Sequence, residues 1–482
     1  MEFNRRVYRL SPQNFSAETI AVTFAKTSRS PEPFDQIAAE LDEEKSTEFS
    51  EKWIVGYGHS SVAEHAVLHL ALENISRLAI ETIEGNRLAS YTEKSTRYQE
   101  WDKTAFVIPP EIHHSPFAKE YQQRMAALFE SYAEILEALL PWGQANTERK
   151  ANESEKLWLN RARVKAVDVA RFVLPTASLA NVGLTINARA LEYAIRKMLS
   201  SDLMEVRMIG EEVKKVATQE LPTLVKYADP IAYLPELSQF SRAEAKKVPP
   251  REGKPLQLIS IDKNGENQIL AALLYHYGNS SYAANLEYIN DLSDEKRSEM
   301  VDKLFENVGK FDNPMRELEY ANLSFDLIMD QGAYFEFKRH RMMTQTVQDF
   351  GITHGYAIPL AITEAGVEAK YRQSMDDIAA LYTEIAEWNP QVAAYVLPNA
   401  FNRRVLCQCN LRSLFHFVKL RSAGNAHFSI RRVAYAMLEL IRPHYPLFAE
   451  KILVKDSNSS KQLEEQFFTN ISEMPRHDLL AH

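Results

Sequence analysis

Apolar residues recur along this chain with two different spacings, which predicts a fold that combines helices with strands. An apolar residue at every third or fourth position predicts a helix, and near-alternation predicts a strand. The predicted strands cover residues 65–72, 256–261 and 321–328. The predicted helices cover residues 16–26, 37–53, 75–83, 119–140, 187–199, 204–221, 268–277, 296–308, 367–388, 410–419 and 428–441, with Pro141 expected to end the fourth.

Two short motifs occur twice at the same separation, which indicates a tandem duplication. Asn187-Ala-Arg-Ala-Leu191 returns as Asn410-Leu-Arg-Ser-Leu414, and Val173-Leu-Pro175 returns as Val396-Leu-Pro398. Both 410 minus 187 and 396 minus 173 give 223. The predicted class is α+β (α/β), with a mixed β-sheet flanked by helices in each repeat. The predicted organisation is a first repeat over residues 1–229 with an insertion near 143–156, a linker over 230–255, a second repeat over 256–454 and a polar tail over 455–482. This tail, with its serine-rich start, is expected to be loosely packed.

Composition limits the kind of protein this is. The chain has 482 residues, 25% of them charged, and a formal net charge of -9, so no overall positive field attracts nucleic acid. Its two cysteines cannot build a disulfide framework or a four-ligand zinc site, and His65 and His69 lack a third ligand, so no metal site is predicted. No signal peptide or membrane-spanning run is seen, and the prediction is a cytoplasmic protein without a membrane partner.

Two polar stretches carry the candidate chemistry. The triplet Arg339-His340-Arg341 follows an apolar run, and paired guanidinium groups beside an imidazole suit a phosphate or pyrophosphate. Earlier, Glu93, Ser95 and Arg97 alternate, so on an extended segment they would point to one side. Each stretch alone is more often a solvated basic turn or an ordinary charged loop.

Together, the two stretches resemble the signature of the flavin-dependent thymidylate synthases, Arg-His-Arg-x-x-Ser-x-x-Glu-x-Ser-x-Arg-Tyr. The later stretch keeps the first half of the signature as Arg339-His340-Arg341. The earlier stretch keeps the second half, at Ser90, Glu93, Ser95, Arg97 and Tyr98. The halves that are lost are replaced by Gly85 and Asn86 in the first copy and by Val347, Asp349 and Gly351 in the second.

The resemblance implies one composite site whose two halves come from different repeats. It implies a catalytic Arg421, at the position of Met198 in the first repeat, lying against the pyrimidine. The nucleotide would be bound by Glu93, Ser95, Thr96, Arg97, Arg171, Glu336, Arg339 and Arg421. The flavin would be bound by Ser61, Glu93, Arg339, His340, Arg341, Asn410, Arg412 and His416.

The activity implied by the resemblance is reductive methylation of dUMP to dTMP, with FAD as cofactor and NADPH and methylenetetrahydrofolate as co-substrates. A homodimer of two-repeat chains would then take the place of a tetramer. Glu336 stands where a glutamine is usual in the family. This departure is unfavourable for the resemblance, because a carboxylate near a phosphate repels it. Two alternatives therefore stay open: a flavoenzyme of the same fold acting on another uracil nucleotide, and a non-catalytic paralogue that binds a nucleotide or flavin.

Overall fold

The computed structural model describes residues 6–28, 30–41, 43–49, 51, 60–249, 253–452, 454 and 458–476. The strands are β1 Val67–Ser76, β2 Ala89–Glu93, β3 Leu179–Asn187, β4 Leu256–Ile261, β5 Asn322–Asp330, β6 Thr344–Val347, β7 Tyr356–Pro359, β8 Asn402–Asn410 and β9 Phe468–Glu473. Together with the helices, they confirm the α+β class.

The helices are longer and more numerous than the strands. They are α1 Ala17–Lys26, α2 Phe34–Ala39, α3 Glu43–Phe49, α4 Arg77–Glu84, α5 Pro110–His113, α6 Ala118–Ala145, α7 Glu155–Ala170, α8 Ala188–Leu199, α9 Met204–Glu220, α10 Tyr233–Ala245, α11 Gly265–Tyr277, α12 Tyr282–Asp291, α13 Asp294–Phe305, α14 Gln331–Phe337, α15 Leu360–Glu364, α16 Glu368–Trp388, α17 Pro390–Ala393, α18 Leu411–Arg421, α19 Phe428–Ile441, α20 Pro446–Ala449 and α21 Ser460–Phe467.

The two largest sheets share one strand order, as a duplication predicts. The first is β1-β3-β2, and the second is β4-β5-β8-β6, in which β5, β8 and β6 take the places of β1, β3 and β2. Every pairing between the described strands is antiparallel, whereas the sequence predicts mixed sheets. The sequence pattern could not distinguish the two, because alternation reports burial of one face and not the direction of the neighbouring strand.

The chain forms two compact units whose boundaries cut across the repeats. The first unit comprises the described residues of Met1–Lys94, Phe106–Pro116 and Ala177–Pro250. The second comprises those of Ser95–Ala105, Phe117–Thr176 and Arg251–His482. Helices α6 and α7 and the loop at 95–105, all from the first repeat, therefore belong to the same unit as the whole second repeat.

The core of the second unit lies between its sheet and the helices that cover it. Alternate residues of β5, from Leu323 to Met329, are buried, as are Val405, Cys407 and Cys409 on β8. These side chains pack with buried residues of α18 and α19. Burial of the apolar face of both helices fixes their N-terminal and C-terminal ends relative to the sheet, and those ends carry the site.

Helix α6 continues through Pro141 to Ala145, so the prediction that this proline ends the helix is wrong. A proline in a helix removes one hydrogen bond and costs about 3 kcal/mol. Packing against α7 opposes that cost. A Cβ on Gly143 would lie 2.5 Å from the Ala162 carbonyl oxygen, so the two backbones approach closely at this turn.

The predicted polar tail is folded where it is described. Ser459 caps α21 through a capping box with Gln462, and Leu463 is fully buried. Strand β9 then pairs with β7. The expectation of loose packing rested on the serine-rich stretch before α21, and part of that stretch lies outside the described residues.

The predicted linker contains a helix. Helix α10 occupies 13 residues of the stretch between the repeats, and none of its residues is buried. Among the described residues, no helix has both the length and the apolar character needed to cross a membrane.

Candidate functional site

A cluster of charged side chains lies inside the second unit, where α14, α18, α19 and the end of α7 meet. Asp330 starts α14 by accepting a hydrogen bond from the Ala333 backbone N–H at 2.8 Å. Its other oxygen accepts a short hydrogen bond from Ser429 in the first turn of α19. Both groups are buried, so this pair joins the starts of the two helices.

The two copies of the Val-Leu-Pro motif bring the first repeat to this cluster. Pro175 and Pro398 pair as an isolated antiparallel bridge, and the Thr176 N–H donates to the Leu397 carbonyl at 3.0 Å. The Asn399 amide, which follows the second copy, donates to the Arg171 carbonyl at 2.8 Å. These bonds hold the turn that carries Arg171 against the second repeat.

Glu336, in the last turn of α14, is held by two arginines. Arg421 Nη1 donates to Glu336 Oε2 at 2.9 Å, and Arg171 Nη2 donates to Oε1 at 3.4 Å. The Glu336 side chain is only 9% exposed. Burial alone would raise the pKa of Glu336, but the charge of Arg171 and of the neighbouring cationic groups lowers it below its usual value. Glu336 is therefore a buried carboxylate and not a neutral acid.

Arg97 has its own carboxylate partner. Its Nε donates to Asp168 Oδ1 at 2.8 Å and its Nη2 donates to Oδ2 at 3.0 Å, which is a bidentate pair. Burial would lower the pKa of Arg97, but the hydrogen bonds and charge of Asp168 outweigh that effect and raise it. Arg97 Nη1 also donates to the Asn425 carbonyl at 3.2 Å, near the start of α19.

Arg171 is more buried than Arg97 and Arg421. Its side chain is 4% exposed, and its Nε is 3.8 Å from Asp168 Oδ1, beyond hydrogen-bond distance. Among the described residues, this buried Nε has no hydrogen-bond acceptor. A buried guanidinium with an unsatisfied donor is suited to a small anion, because each unmade hydrogen bond is costly.

Two buried histidines border the cluster, and both are neutral. Burial, and then the charge of Arg421, lower the pKa of His340 to about 3. The Nε2 of His340 accepts a hydrogen bond from Arg421 Nε at 3.0 Å, so its proton is assigned to Nδ1. His427 is fully buried, which holds its pKa well below the usual range, and its Nε2 lies 3.1 Å from the Asp168 carbonyl oxygen.

The buried groups together can bind an anion, but they already contain two of their own. The guanidinium groups of Arg97, Arg171 and Arg421 face the carboxylates of Asp168 and Glu336. Among these five ion-paired groups, three positive charges against two negative ones leave a single positive charge, since both histidines are neutral. The carboxyl of Asp330 also lies near Arg171, and burial raises its pKa. A phosphate entering this cluster would have to share the guanidinium donors with a resident carboxylate.

The basic triplet forms the turn after α14, beside this cluster. Arg339 is exposed and Arg341 half-buried, while His340 between them points inward. The ring of His416, on α18, is 5.8 Å from the ring of His340. The turn therefore presents two guanidinium groups, and α18 adds the imidazole of His416, around a buried neutral imidazole.

The two remaining residues of the predicted flavin set in this unit have structural partners. The Asn410 side chain caps α18 by accepting from the Ser413 N–H at 2.9 Å, just as Asn187 caps α8. Arg412 donates to the Pro314 carbonyl and to Glu319, each at 2.9 Å. The recurrence of the asparagine in both repeats therefore has a structural explanation, and the contact of Asn410 and Arg412 with a flavin stays a prediction.

The other predicted residues lie along the first repeat. Ser61, exposed, and Glu93 belong to the first unit, where the Glu93 side chain is 1% exposed and pairs with Arg77 at 3.1 Å. Ser95 and the buried Thr96 belong to the second unit, and the Ser95 hydroxyl accepts a hydrogen bond from the Arg97 N–H at 3.2 Å. Ser95 thus shapes the turn that carries Arg97.

Sequence reasoning missed Asp168 and His427. Asp168 precedes Arg171 by three residues, a spacing that places both on one helical face, and this was the available signal. His427 caps α19 by accepting from the Ser429 N–H at 3.2 Å, and a histidine is not among the residues usually expected at that position.

Comparison with known proteins agrees with the duplicated pattern. The family model described as thymidylate synthase complementing protein matches this chain twice, over residues 10–223 and 257–447. A UPF0159 protein of Chlamydia muridarum is 28% identical over 428 residues, which cover 85% of this chain and 81% of that protein. A UPF0159 protein of Thermoplasma acidophilum is 25% identical over 467 residues, covering 87% and 90%.

A shorter relative bears the name of an enzyme. The flavin-dependent thymidylate synthase of Clostridium tetani is 29% identical over 238 residues, which cover 48% of this chain and 92% of that protein. A protein about half as long thus matches about half of this chain. With two matched regions that span most of its length, the chain belongs to the thymidylate synthase complementing protein family.

Proposed function

We propose that this chain is a flavin-dependent enzyme that methylates C5 of a uracil nucleotide. The proposed substrate is dUMP, with FAD as cofactor, methylenetetrahydrofolate as the one-carbon donor and NADPH as the reductant. The observation that carries the proposal is one cluster within one unit. Arg97 and Arg171 from the first repeat lie there with Arg421 and the basic turn from the second.

The buried arginines fit the two charged parts of such a substrate. Arg97 and Arg171 would bind the phosphate, because guanidinium groups give strong hydrogen bonds to phosphate oxygens. Arg421 would lie against the pyrimidine and stabilise negative charge that develops on the ring during substitution at C5. Its side chain is 15% exposed, so water screens that charge little.

The residues of the basic turn fit a flavin dinucleotide. Arg339 and Arg341 offer guanidinium groups for its pyrophosphate, and His416 offers an aromatic imidazole beside them. When bound, the flavin would supply the redox chemistry of the reaction. The chain itself would orient the substrate, hold Arg421 toward the base through His340 and Glu336, and keep water from the buried arginines.

Purified protein should be yellow and should release tritium from dUMP labelled at C5, in a reaction that requires methylenetetrahydrofolate. The double variant Arg339→Ala/Arg341→Ala should lose most of its flavin, measured as absorbance per chain, because the pyrophosphate would lose both guanidinium partners. Arg161→Ala/Arg163→Ala is a matched control that removes two half-exposed arginines from α7 and should keep its flavin. Colourless wild-type protein that releases no tritium would rule out the enzyme assignment.

One observation favours a second candidate, a flavoenzyme acting on another uracil nucleotide. Glu336 and Asp168 neutralise most of the positive charge that would otherwise face the phosphate. A dianionic phosphate is therefore a poorer electrostatic match for this cluster than for one with glutamine at the position of Glu336. Tritium release from labelled uracil nucleotides that differ in their phosphate would distinguish the two candidates.

A further inference from the structure

Glu336 already occupies a guanidinium donor of Arg171, which a phosphoryl group would use, and it also holds Arg421, which would face the pyrimidine. Its two carboxylate oxygens accept from Arg421 at 2.9 Å and from Arg171 at 3.4 Å. The Arg421 Nη2 also donates to the Glu336 backbone carbonyl at 3.2 Å, which orients the guanidinium toward α14. A carboxylate and a phosphoryl group present similar oxygens to a guanidinium, so the two compete for the same positions.

The groups around Glu336 keep its carboxylate charged, so the competition with a phosphoryl group remains. The groups that face Glu336 or its arginine partners come from five elements: Arg97 from the loop at 95–105, Asp168 and Arg171 from the end of α7, His340 and the exposed Arg339 from the turn after α14, Arg421 from the end of α18, and His427 from the start of α19. The arginines lower the pKa of Glu336 even though its burial opposes this, so the carboxylate stays ionised.

We propose that Glu336 is a specificity-determining residue, which weakens the preference of this site for ligands whose phosphoryl group carries two negative charges over ligands whose phosphoryl group carries one. This inference rests on the proposed function, because it takes the cluster as the phosphate subsite of a uracil nucleotide. A phosphate monoester is a dianion above its second pKa of about 6, whereas a phosphodiester is a monoanion at any neutral pH. Repulsion from the buried carboxylate acts on both charges of the dianion and on only one charge of the diester.

The test compares dUMP with its phosphate monomethyl ester at pH 8, by calorimetric titration of the wild-type protein and of Glu336→Gln. The wild-type protein should bind dUMP less than ten times as tightly as the ester. In Glu336→Gln, the affinity for dUMP relative to the ester should rise about tenfold or more, because the amide keeps the size of the side chain and removes its charge. Comparing this ratio between the two proteins cancels the steric effect of the methyl group, because the methyl group is the same in both.

Asp326→Asn is the matched control. Asp326 accepts from Arg404 at 2.6 Å on the sheet of the same unit, and its side chain is similarly shielded, but it contacts none of the arginines of the cluster. Its removal should leave the ratio of the two affinities unchanged. If Glu336→Gln does not fold, the two affinities of the wild-type protein, for dUMP and for the ester, test the inference on their own.

Two failures can be told apart. Wild-type protein that binds dUMP more than ten times as tightly as the ester, or a ratio that Glu336→Gln leaves unchanged, overturns this inference and leaves the proposed function in place. Absence of any uracil nucleotide binding to wild-type protein overturns both.

Discussion

Replacement of Arg421 by methionine should abolish tritium release from C5-labelled dUMP, with a loss of at least about a hundredfold to a thousandfold in kcat. Arg421 is held in place by Glu336 and by the neutral ring of His340, so the position of its charge is fixed before the substrate binds. Preorganised charge of this kind needs no reorganisation during the reaction, so removing it lowers mainly kcat. The affinity for dUMP should change much less than kcat.

The matching position of the first repeat provides the control. Met198 is a buried residue of α8 in the first unit, and Met198→Leu exchanges two apolar side chains of similar volume. Turnover should be nearly unaffected. Arg421→Met also leaves the Glu336 carboxylate with one fewer cation. The double variant Arg421→Met/Glu336→Gln removes that carboxylate charge as well, and it should still be inactive. Turnover retained by either variant without Arg421 would remove this arginine from the chemistry.

Replacement of Arg97 by alanine should weaken dUMP binding about ten- to a hundredfold, measured by calorimetry. A charge-assisted hydrogen bond to a phosphate contributes roughly 1.5–3 kcal/mol. The effect should lie near the top of this range, because the variant also leaves Asp168 without its bidentate partner, and that carboxylate then repels the phosphate.

Arg404→Ala is a close match for this experiment. The pairs Arg97–Asp168 and Arg404–Asp326 both join a guanidinium to a carboxylate in the second unit, with side chains 18% and 15% exposed in the first pair and 17% and 19% in the second. Each variant therefore breaks an ion pair of similar burial, and only Arg97→Ala should affect nucleotide binding. Equal losses of affinity would show that Arg97 acts through the stability of the fold.

The elements with a strong periodic pattern could be predicted from the sequence. The prediction for α19 gives Phe428 and Ile441 as its ends, and that for β4 gives Leu256 and Ile261, as the structure has them. Helix α19 is buried along nearly its whole length, and Leu256, Leu258 and Ile261 of β4 pack partly buried against the core, so the regularly spaced apolar residues of both elements are those that meet the core. The shared strand order of the two sheets likewise follows from the repeated motifs.

The assignment of each helix to a compact unit could not be predicted from the sequence in the same way. Helices α6 and α7 belong to the first repeat by sequence but to the second unit by contact. The α6–α7 packing at Gly143 and the pairing of the two Val-Leu-Pro motifs depend on the folded chain, because no local pattern encodes which distant surface a helix meets. The predicted repeat limits describe the duplication, and they stay predictions as domain limits.

The charge balance of the site also could not be predicted from the sequence. The sequence singles out Glu336 as unfavourable beside a phosphate, but its partners lie 165 residues before it and 85 residues after it. Asp168 lay close to a predicted residue and was still missed, because an acidic residue on a helix is usually solvated. The polar tail was misjudged for the opposite reason, since its capping box was a local signal that could have been used.

Both halves of the proposed site lie in a single chain, and subunit complementation tests this most directly. Arg97→Ala and Arg421→Met carry their changes in different repeats, and the two chains can be co-expressed with different tags so that only mixed assemblies are purified. The homodimer itself stays a proposal. Tritium release from C5-labelled dUMP would then be measured on the mixed assembly beside wild-type protein.

If each site is built within one chain, every site of the mixed assembly lacks one arginine, and the expected tritium release stays at the low level of the separate variants. If the halves of a site came from different chains, some sites would combine an intact Arg97 with an intact Arg421. Recovery of a substantial fraction of wild-type release in the mixed assembly would contradict the account.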